Sequence, residues 1–462
     1  MSISLKGLVD KHKNKVVFVE SDNDFVEVLF SLLTIPMGTI TRLSCSKSKT
    51  VGTSCMYNLY ESVKNIDVQL FRAEECKEML LCPRRATEVL GHYLQCNSHG
   101  VAKRYLCCNE VYDFGSGLKC DVCKCGAYIY SRIELSSEPS STPEDGDMFT
   151  KGNTRFVISD DLQIVSLSNG ASLSLFSNLG VTDWSSVEER ILEIQLVEVW
   201  DLLLCSLFSR TPLTETLLKH KPVPGITAGL RDVEKQARKG NIKQEGKFTV
   251  KLMVSKSKKI VCYAEAKEDF VNLLLSFLAV PVGHILKHRL NGFLNGCVDN
   301  LYKSVVELDE KCFKSKSHEK MLVSPMLALG FGYENDLISI EQASRPLFYS
   351  QLDNIGALLL YNDEDLHSKI ASKAPGFSTV MDFNTGRDGF LKRHTMFTLT
   401  DSLIIRPISP LFVISILNEL KVPFSDIEVK VVRVGKEEAL RLLVASFLSD
   451  SALTHAFLGK PK

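Results

Sequence analysis

A chain of 462 residues exceeds one ordinary domain, and its 45% hydrophobic and 24% charged residues are enough to bury a sizeable core. Lys plus Arg and Asp plus Glu both number 55, so no net field steers the molecule onto nucleic acid or an anionic membrane. The opening "MSISLKGLVDKHKNK" has no apolar h-region and no later run reaches the ~18 uncharged residues of a membrane span, so neither secretion nor membrane insertion is expected.

In chain order, "KVVFVE" (15–20) is short and β-branched, which predicts a strand paired with "LKGLVD" through the polar turn "KHKN". Ser21 with Asp24 three residues on resembles a capping box. The helix it would open carries apolar residues at 25, 26, 29, 30, 32 and 33 on one face, and Pro36 and Gly38 stop it. A second helix, "NLYESVKNI", puts Leu59, Val63 and Ile66 on one side. Then comes "RYLCCNEVYDFGSGLKCDVCKCGAYIY" (104–130), followed by the acidic, Ser-rich "SSEPSSTPEDGD" (136–147), whose composition predicts a disordered loop extending over about 136–153. Residues 219–247 hold two prolines, four glycines and eight Lys/Arg against three acids, and read as a basic, flexible linker. Towards the end, "VKVVRV" (429–434) reads as a strand, and an amphipathic helix starts at Lys436 after Gly435.

The chain also repeats itself. Shifted by 245, residues 5–40 fall on 250–285 with 15 identities in 36 positions, among them Glu20/Glu265, Asp24/Asp269, Pro36/Pro281 and Gly38/Gly283. Three further blocks align: 55–67 with 297–309, 156–164 with 397–405, and 202–218 with 442–458. The expectation is an α+β protein of two homologous α+β halves, 1–218 and 248–462, packed about a pseudo-twofold. These blocks resemble the plant domain-of-unknown-function 674 family (DUF674) over nearly the whole chain. The resemblance implies a plant intracellular protein, often of two tandem family domains, with no established activity and no catalytic residues to carry over. It also implies a cysteine-rich insert ending in C-x-C-G, here Cys123, Cys125 and Gly126.

Fourteen cysteines without a secretory signal read as reduced thiols of the cytoplasm or nucleus. Five of them, Cys107, Cys108, Cys120, Cys123 and Cys125, fall within nineteen positions. "CDVCKCG" offers three thiolates from one turn, and one of the adjacent Cys107 and Cys108 would arrive across a hairpin turning at "DFGSGLK" to close a tetrahedral zinc site. Cys96 and His99 stand in reserve within an insert of about 96–135. The competing reading is a set of free thiols left by a decayed site. A catalytic zinc is disfavoured because four thiolates leave no open position for water. The corresponding span of the second half, 326–396, has no cysteine, so the metal would be a local staple.

Glu20/Asp24 and Glu265/Asp269 are the recurrent carboxylates. Either they are paired acids for proton transfer, or Asp24 favours a helix N-terminus while Glu20 ends a strand at the surface. Tyr60/Tyr302 and Asn58/Asn300 also recur, with packing and capping as the plain explanation. No phosphate-binding or zinc-protease motif occurs. Function therefore divides between a non-enzymatic binding or scaffolding protein stiffened by structural zinc and an enzyme with a site between the halves. Nucleic-acid binding through the ribbon is weakened by the neutral charge. The first reading calls for a protein partner of unidentified kind, and oligomeric state is not legible in the residues.

Overall fold

The computed structural model describes residues 2–46, 55–83, 85–86, 104–107, 110–112, 131–133, 149–151, 154–167, 184–219, 247–288, 297–328, 331, 333–342, 348–352, 358–361, 378–380 and 389–459. In the first half these form β1 (Ser2–Asp10), β2 (Lys15–Ser21), α1 (Asn23–Leu32), α2 (Met37–Ser46), α3 (Cys55–Asn65), α4 (Glu74–Leu81), β3 (Arg104–Cys107), β4 (Glu110–Tyr112), β5 (Ser131–Ile133), β6 (Phe156–Ser159), β7 (Ile164–Ser166), β8 (Val187–Gln195), α5 (Leu196–Phe208) and α6 (Pro212–Leu217). The second half supplies β9 (Phe248–Ser255), β10 (Val261–Lys267), α7 (Glu268–Ser276), α8 (Val282–Lys287), α9 (Val298–Glu307), α10 (Lys316–Val323), β11 (Phe348–Leu352), β12 (Leu358–Tyr361) and β13 (Ser378–Val380). It continues with β14 (Met396–Thr400), β15 (Ile405–Pro407), α11 (Pro410–Glu419), β16 (Ile427–Val434), α12 (Lys436–Leu448) and α13 (Ala452–Phe457). Helices combine with antiparallel sheets, which makes the class α+β.

Two five-stranded sheets run in the orders β7-β6-β2-β1-β8 and β15-β14-β10-β9-β16. Period-2 alternation sets their faces. On β1, Leu5 and Val9 point into the core while Ser4 and Lys6 face out; on β9, Val250, Leu252 and Val254 point in and Thr249 and Lys251 out. The strand, turn and helix predicted at the start are all present, and Phe25, Val26, Leu29, Phe30 and Leu32 form the buried face of α1. The capping box is not. The N-cap is Asp22, without a side-chain cap, and the Ser21 hydroxyl donates instead to the Asp22 carbonyl at 2.7 Å. The corresponding residue of the second half is Ala266, which has no oxygen to offer.

Pro36 and Gly38 do more than end a helix. Pro36 lies opposite Pro281 in an antiparallel bridge, flanked by Met37 N–H to Val280 O at 3.0 Å and Val282 N–H to Ile35 O at 3.1 Å. Residues aligned between the two halves of the sequence thus lie opposite one another. Gly38 lies inside α2, a helix the sequence reading did not separate.

The helices cross over to the other half's sheet. α3 packs against β15 and α7, and α9 packs against β7 and α1. Chain segments also pair across: Arg72 N–H to Phe390 O and Lys392 N–H to Leu70 O at 2.9 Å each, mirrored by Lys151 N–H to Cys312 O and Lys314 N–H to Phe149 O at 2.9 Å each. Phe149 and Thr150, which composition placed in the acidic loop, are in fact fully buried, because the Glu27 carboxylate accepts both of their amides. Asn272, aligned with Glu27, accepts the amides of Phe390 and Leu391 in the same way. One continuous hydrophobic core consequently runs through both halves.

Two three-stranded sheets complete the described fold, β4-β3-β5 and β12-β11-β13, again in matching order. β3 and β4 pair antiparallel, with Cys107 opposite Glu110. The turn expected at "DFGSGLK" lies outside the described residues. So do the loop 136–148 and the linker 220–246.

Candidate functional site

A set of polar residues converges at the β6–β7 and β14–β15 hairpins, where both halves meet. Each hairpin turns on a buried leucine in the left-handed region, Leu162 at φ 61° and Leu403 at φ 63°. A non-glycine residue holds that conformation only when its surroundings over-determine it. They do here. Asp160 accepts the Thr214 amide and hydroxyl, both at 2.8 Å, and that hydroxyl in turn accepts the Val16 amide at 2.9 Å. Asp401 accepts the Thr454 amide at 2.7 Å and its hydroxyl at 2.6 Å, and the hydroxyl accepts the Val261 amide at 2.8 Å. Each node ties the last short helix of a half (α6 or α13) to its hairpin and to the start of a central strand.

The other half closes each node. From α9, Asn300 Nδ2 donates to the Asp161 carbonyl at 3.0 Å and the Ser304 hydroxyl accepts the Ile164 amide at 2.9 Å. From α3, Asn58 Nδ2 donates to the Ser402 carbonyl and the Ser62 hydroxyl accepts the Ile405 amide, both at 2.9 Å. Cys297 and Cys55 begin these same helical segments: the Cys297 amide donates to Ser206 O at 2.7 Å and the Cys55 amide to Ser449 O at 3.2 Å. The recurrent tyrosines also have a defined task. Tyr60 donates to Leu81 O at 3.3 Å and Tyr302 to Val323 O at 2.9 Å, the last carbonyls of α4 and α10.

Burial dominates the electrostatics. It pushes both Asp160 and Asp401 up to about 6, against the lowering effect of the threonine donors. Lys15 Nζ stands 3.7 Å from Asp160, whereas the aligned residue of the second node is Ile260 and the nearby Asp450 raises Asp401 further. The thiols of Cys55 and Cys297 are pushed up to about 12 by burial, with nearby aspartates adding to the rise. Neither is a nucleophile at neutral pH, since the thiolate is the reactive form. Both oxygens of each node carboxylate are engaged by threonine donors, so the arrangement holds backbone in place.

The carboxylates singled out from the sequence are not brought together as acid pairs. Glu20 is exposed on the outer face of β2, directly across from Lys6 of β1, and Glu265 lies across from Lys251 in the same way. Opposite charges facing each other across a ladder support a sheet. Asp24 and Asp269 sit in the first turns of α1 and α7, where a negative charge complements the helix dipole, and Asp269 also accepts the Tyr333 hydroxyl at 3.3 Å. Of the ribbon cysteines, Cys107 closes β3, while Cys108, Cys120, Cys123 and Cys125 lie outside the described residues, as do Cys96 and His99. Among the described residues, no group of three or more His, Cys, Asp or Glu is placed to hold a metal ion. Among them, too, no helix is long and apolar enough to cross a membrane.

Sequence reasoning passed over the nodes. Their signal was present in the third and fourth aligned blocks, where Asp160 falls on Asp401 and Thr214 on Thr454.

No curated protein and no solved structure matches this chain. The family described as "Protein of unknown function (DUF674)" matches residues 1–437, nearly the whole chain, and the protein belongs to that family.

Proposed function

We propose that the chain is a non-enzymatic binding or scaffolding protein of the plant cytoplasm or nucleus, built from two tandem copies of the family domain and carrying one structural zinc on its cysteine insert. The observation that carries the non-enzymatic reading is the use to which the recurrent polar residues are put. Asp160/Asp401, Thr214/Thr454, Asn58/Asn300, Ser62/Ser304 and Tyr60/Tyr302 are all consumed in joining backbone segments. A duplicated enzyme would be expected to repeat groups that face a substrate; here the repeated groups face one another. The duplication reading is supported by the matching strand orders of all four sheets. Zinc rests on the spacing of Cys107 or Cys108 with Cys120, Cys123 and Cys125. Screening the purified protein against hydrolase and transferase substrate panels should give no turnover above background. Turnover abolished by Glu20→Gln or Glu265→Gln would overturn the reading.

A further inference from the structure

β8 and β16 each form one edge of a large sheet, with the short strands β7 and β15 at the opposite edges, and among the described residues no strand pairs with the far side of β8 or β16. An open edge is a row of unsatisfied backbone donors and acceptors, and chains manage it by charge, by cover or by pairing. The two edges differ in how they do so. β16 reads "IEVKVVRV", with Val429 61% and Val431 62% exposed, and the neighbouring Phe424 69% exposed. The outer face of its sheet is already apolar beside it, with Met253 of β9 buried and α11 laid over β10 through Leu417 and Val413.

We propose that β16 is a self-pairing edge, and that a second copy of this chain adds its own β16 antiparallel to it across a twofold perpendicular to the sheet. Such an axis keeps inner and outer faces aligned, so it must pass beside a residue opposite itself. Centred on Val429, it sets Glu428 against Lys430 of the second copy twice over, and Ile427 against Val431 twice over. Centred on Glu428 or on Lys430, it would place like charges opposite each other. Only the Val429 register pairs both charges and both apolar residues within the strand. Within one chain Lys430 Nζ already lies 3.8 Å from Glu428 Oε2, so the dimer would close a four-charge ring.

The corresponding edge of the other sheet is not built to pair in this way. With an offset of 240, β8 repeats the device: Glu188 and Arg190 stand for Glu428 and Lys430, and Ile191, 73% exposed, stands for Val431. At the central position, however, β8 has Glu189 in place of Val429. Self-pairing there would set two carboxylates directly opposite each other, which is destabilising. β16 is thus left able to pair in this register while β8 is blocked, and self-pairing through β16 gives a closed twofold dimer.

Sedimentation velocity of the full chain across a wide concentration range tests this. The unaltered protein should sediment as a dimer. Val429→Glu, which copies β8 at a solvent-exposed position and so should not disturb folding, should give a monomer. Glu428→Lys and Lys430→Glu should each weaken the dimer by about tenfold or more, because each creates two like-charge contacts, and the double exchange should restore it. An unaltered protein that stays monomeric overturns the proposal. So does a dimer or larger assembly indifferent to Val429→Glu, or one that the double exchange does not rescue; either would place the interface elsewhere.

Discussion

The amide of Gly283 donates to the carbonyl of Leu33 at 2.8 Å, and a Cβ on that glycine would stand 3.0 Å from the same oxygen. The aligned Gly38 is in the mirrored position, where a Cβ would meet the Leu278 carbonyl at 3.1 Å and Pro83 Cγ at 2.9 Å. The Pro-x-Gly sequence at 36–38 and 281–283 is therefore a device for bringing two backbones close together. Gly283→Ala should cost about 1–3 kcal/mol, since the clash is with backbone that cannot swing away. Gly38→Ala should cost a similar amount, softened where Pro83 can shift. Denaturant unfolding of each variant measures this, and an unchanged midpoint for Gly283→Ala would show that the close approach carries no energy.

Because α3 and α9 cross over to the opposite sheet, the halves should not be independent units. Residues 1–218 expressed alone would expose the face of α3 that carries Leu59 and Val63, both fully buried in the intact chain, and would leave the β6–β7 hairpin without Asn300 and Ser304. Each large aliphatic side chain so exposed forfeits about 1.5–3 kcal/mol. The isolated half is expected to be unfolded or aggregated and to be rescued by co-expression with residues 248–462. The full chain should unfold in one cooperative transition. Two separate transitions by calorimetry would contradict this.

Stability should fall as pH rises from about 4 to about 6. Asp160 and Asp401 have folded values of about 6 against an unfolded 3.8, so between these limits the folded chain holds more protons than the unfolded one. The slope of unfolding free energy with pH is then negative, and each residue contributes about 3 kcal/mol less at pH 7 than below pH 4. Asp401→Asn removes one of the two titrations and should roughly halve the slope. It also loses one acceptor, so the comparison must be of slopes and not of absolute stabilities. Thr454→Val, which strips the hydroxyl donor from Asp401 and the acceptor from the Val261 amide while keeping the backbone donor, should destabilise by about 1–3 kcal/mol, with Thr454→Ser recovering most of the loss.

Sequence patterns revealed those parts of the fold that depend on local periodicity. The β1–β2 pair, the apolar face of α1 and the Leu59–Val63–Ile66 side of α3 follow from alternation or a 3.6-residue period, and the structure has them. The crossing of α3 and α9 did not emerge, because a buried face states only that something covers it. Ser21 looked like a cap from spacing alone, but its hydroxyl reaches only the Asp22 carbonyl. Phe149 and Thr150 were hidden by the acidic stretch before them, since their burial depends on Glu27, more than a hundred positions away in sequence. Asp160 and Thr214 were missed for the same reason. A carboxylate and a hydroxyl separated by 54 positions have no spacing signature, and only their joint recurrence as Asp401 and Thr454 marked them.

Chelation should separate the metal site from the rest of the fold. The small sheet β4-β3-β5 belongs to the cysteine insert, yet β12-β11-β13 has the same order in a half whose equivalent span holds no cysteine. Three strands can therefore be arranged in this way without thiolates, and zinc would tighten the insert without creating it. Purified protein is expected to carry about one zinc per chain, falling when Cys123 and Cys125 are both changed to Ser. Binding should release protons from the thiols, so affinity should rise with pH. Removing the metal should increase hydrogen exchange over about residues 96–135 while amides of β1, β2, β9 and β10 stay protected. Protein prepared without chelator that contains no zinc, with those cysteines freely titratable, would mean the cluster is a relic. Loss of protection in β9 and β10 on chelation would show instead that the metal supports the shared core.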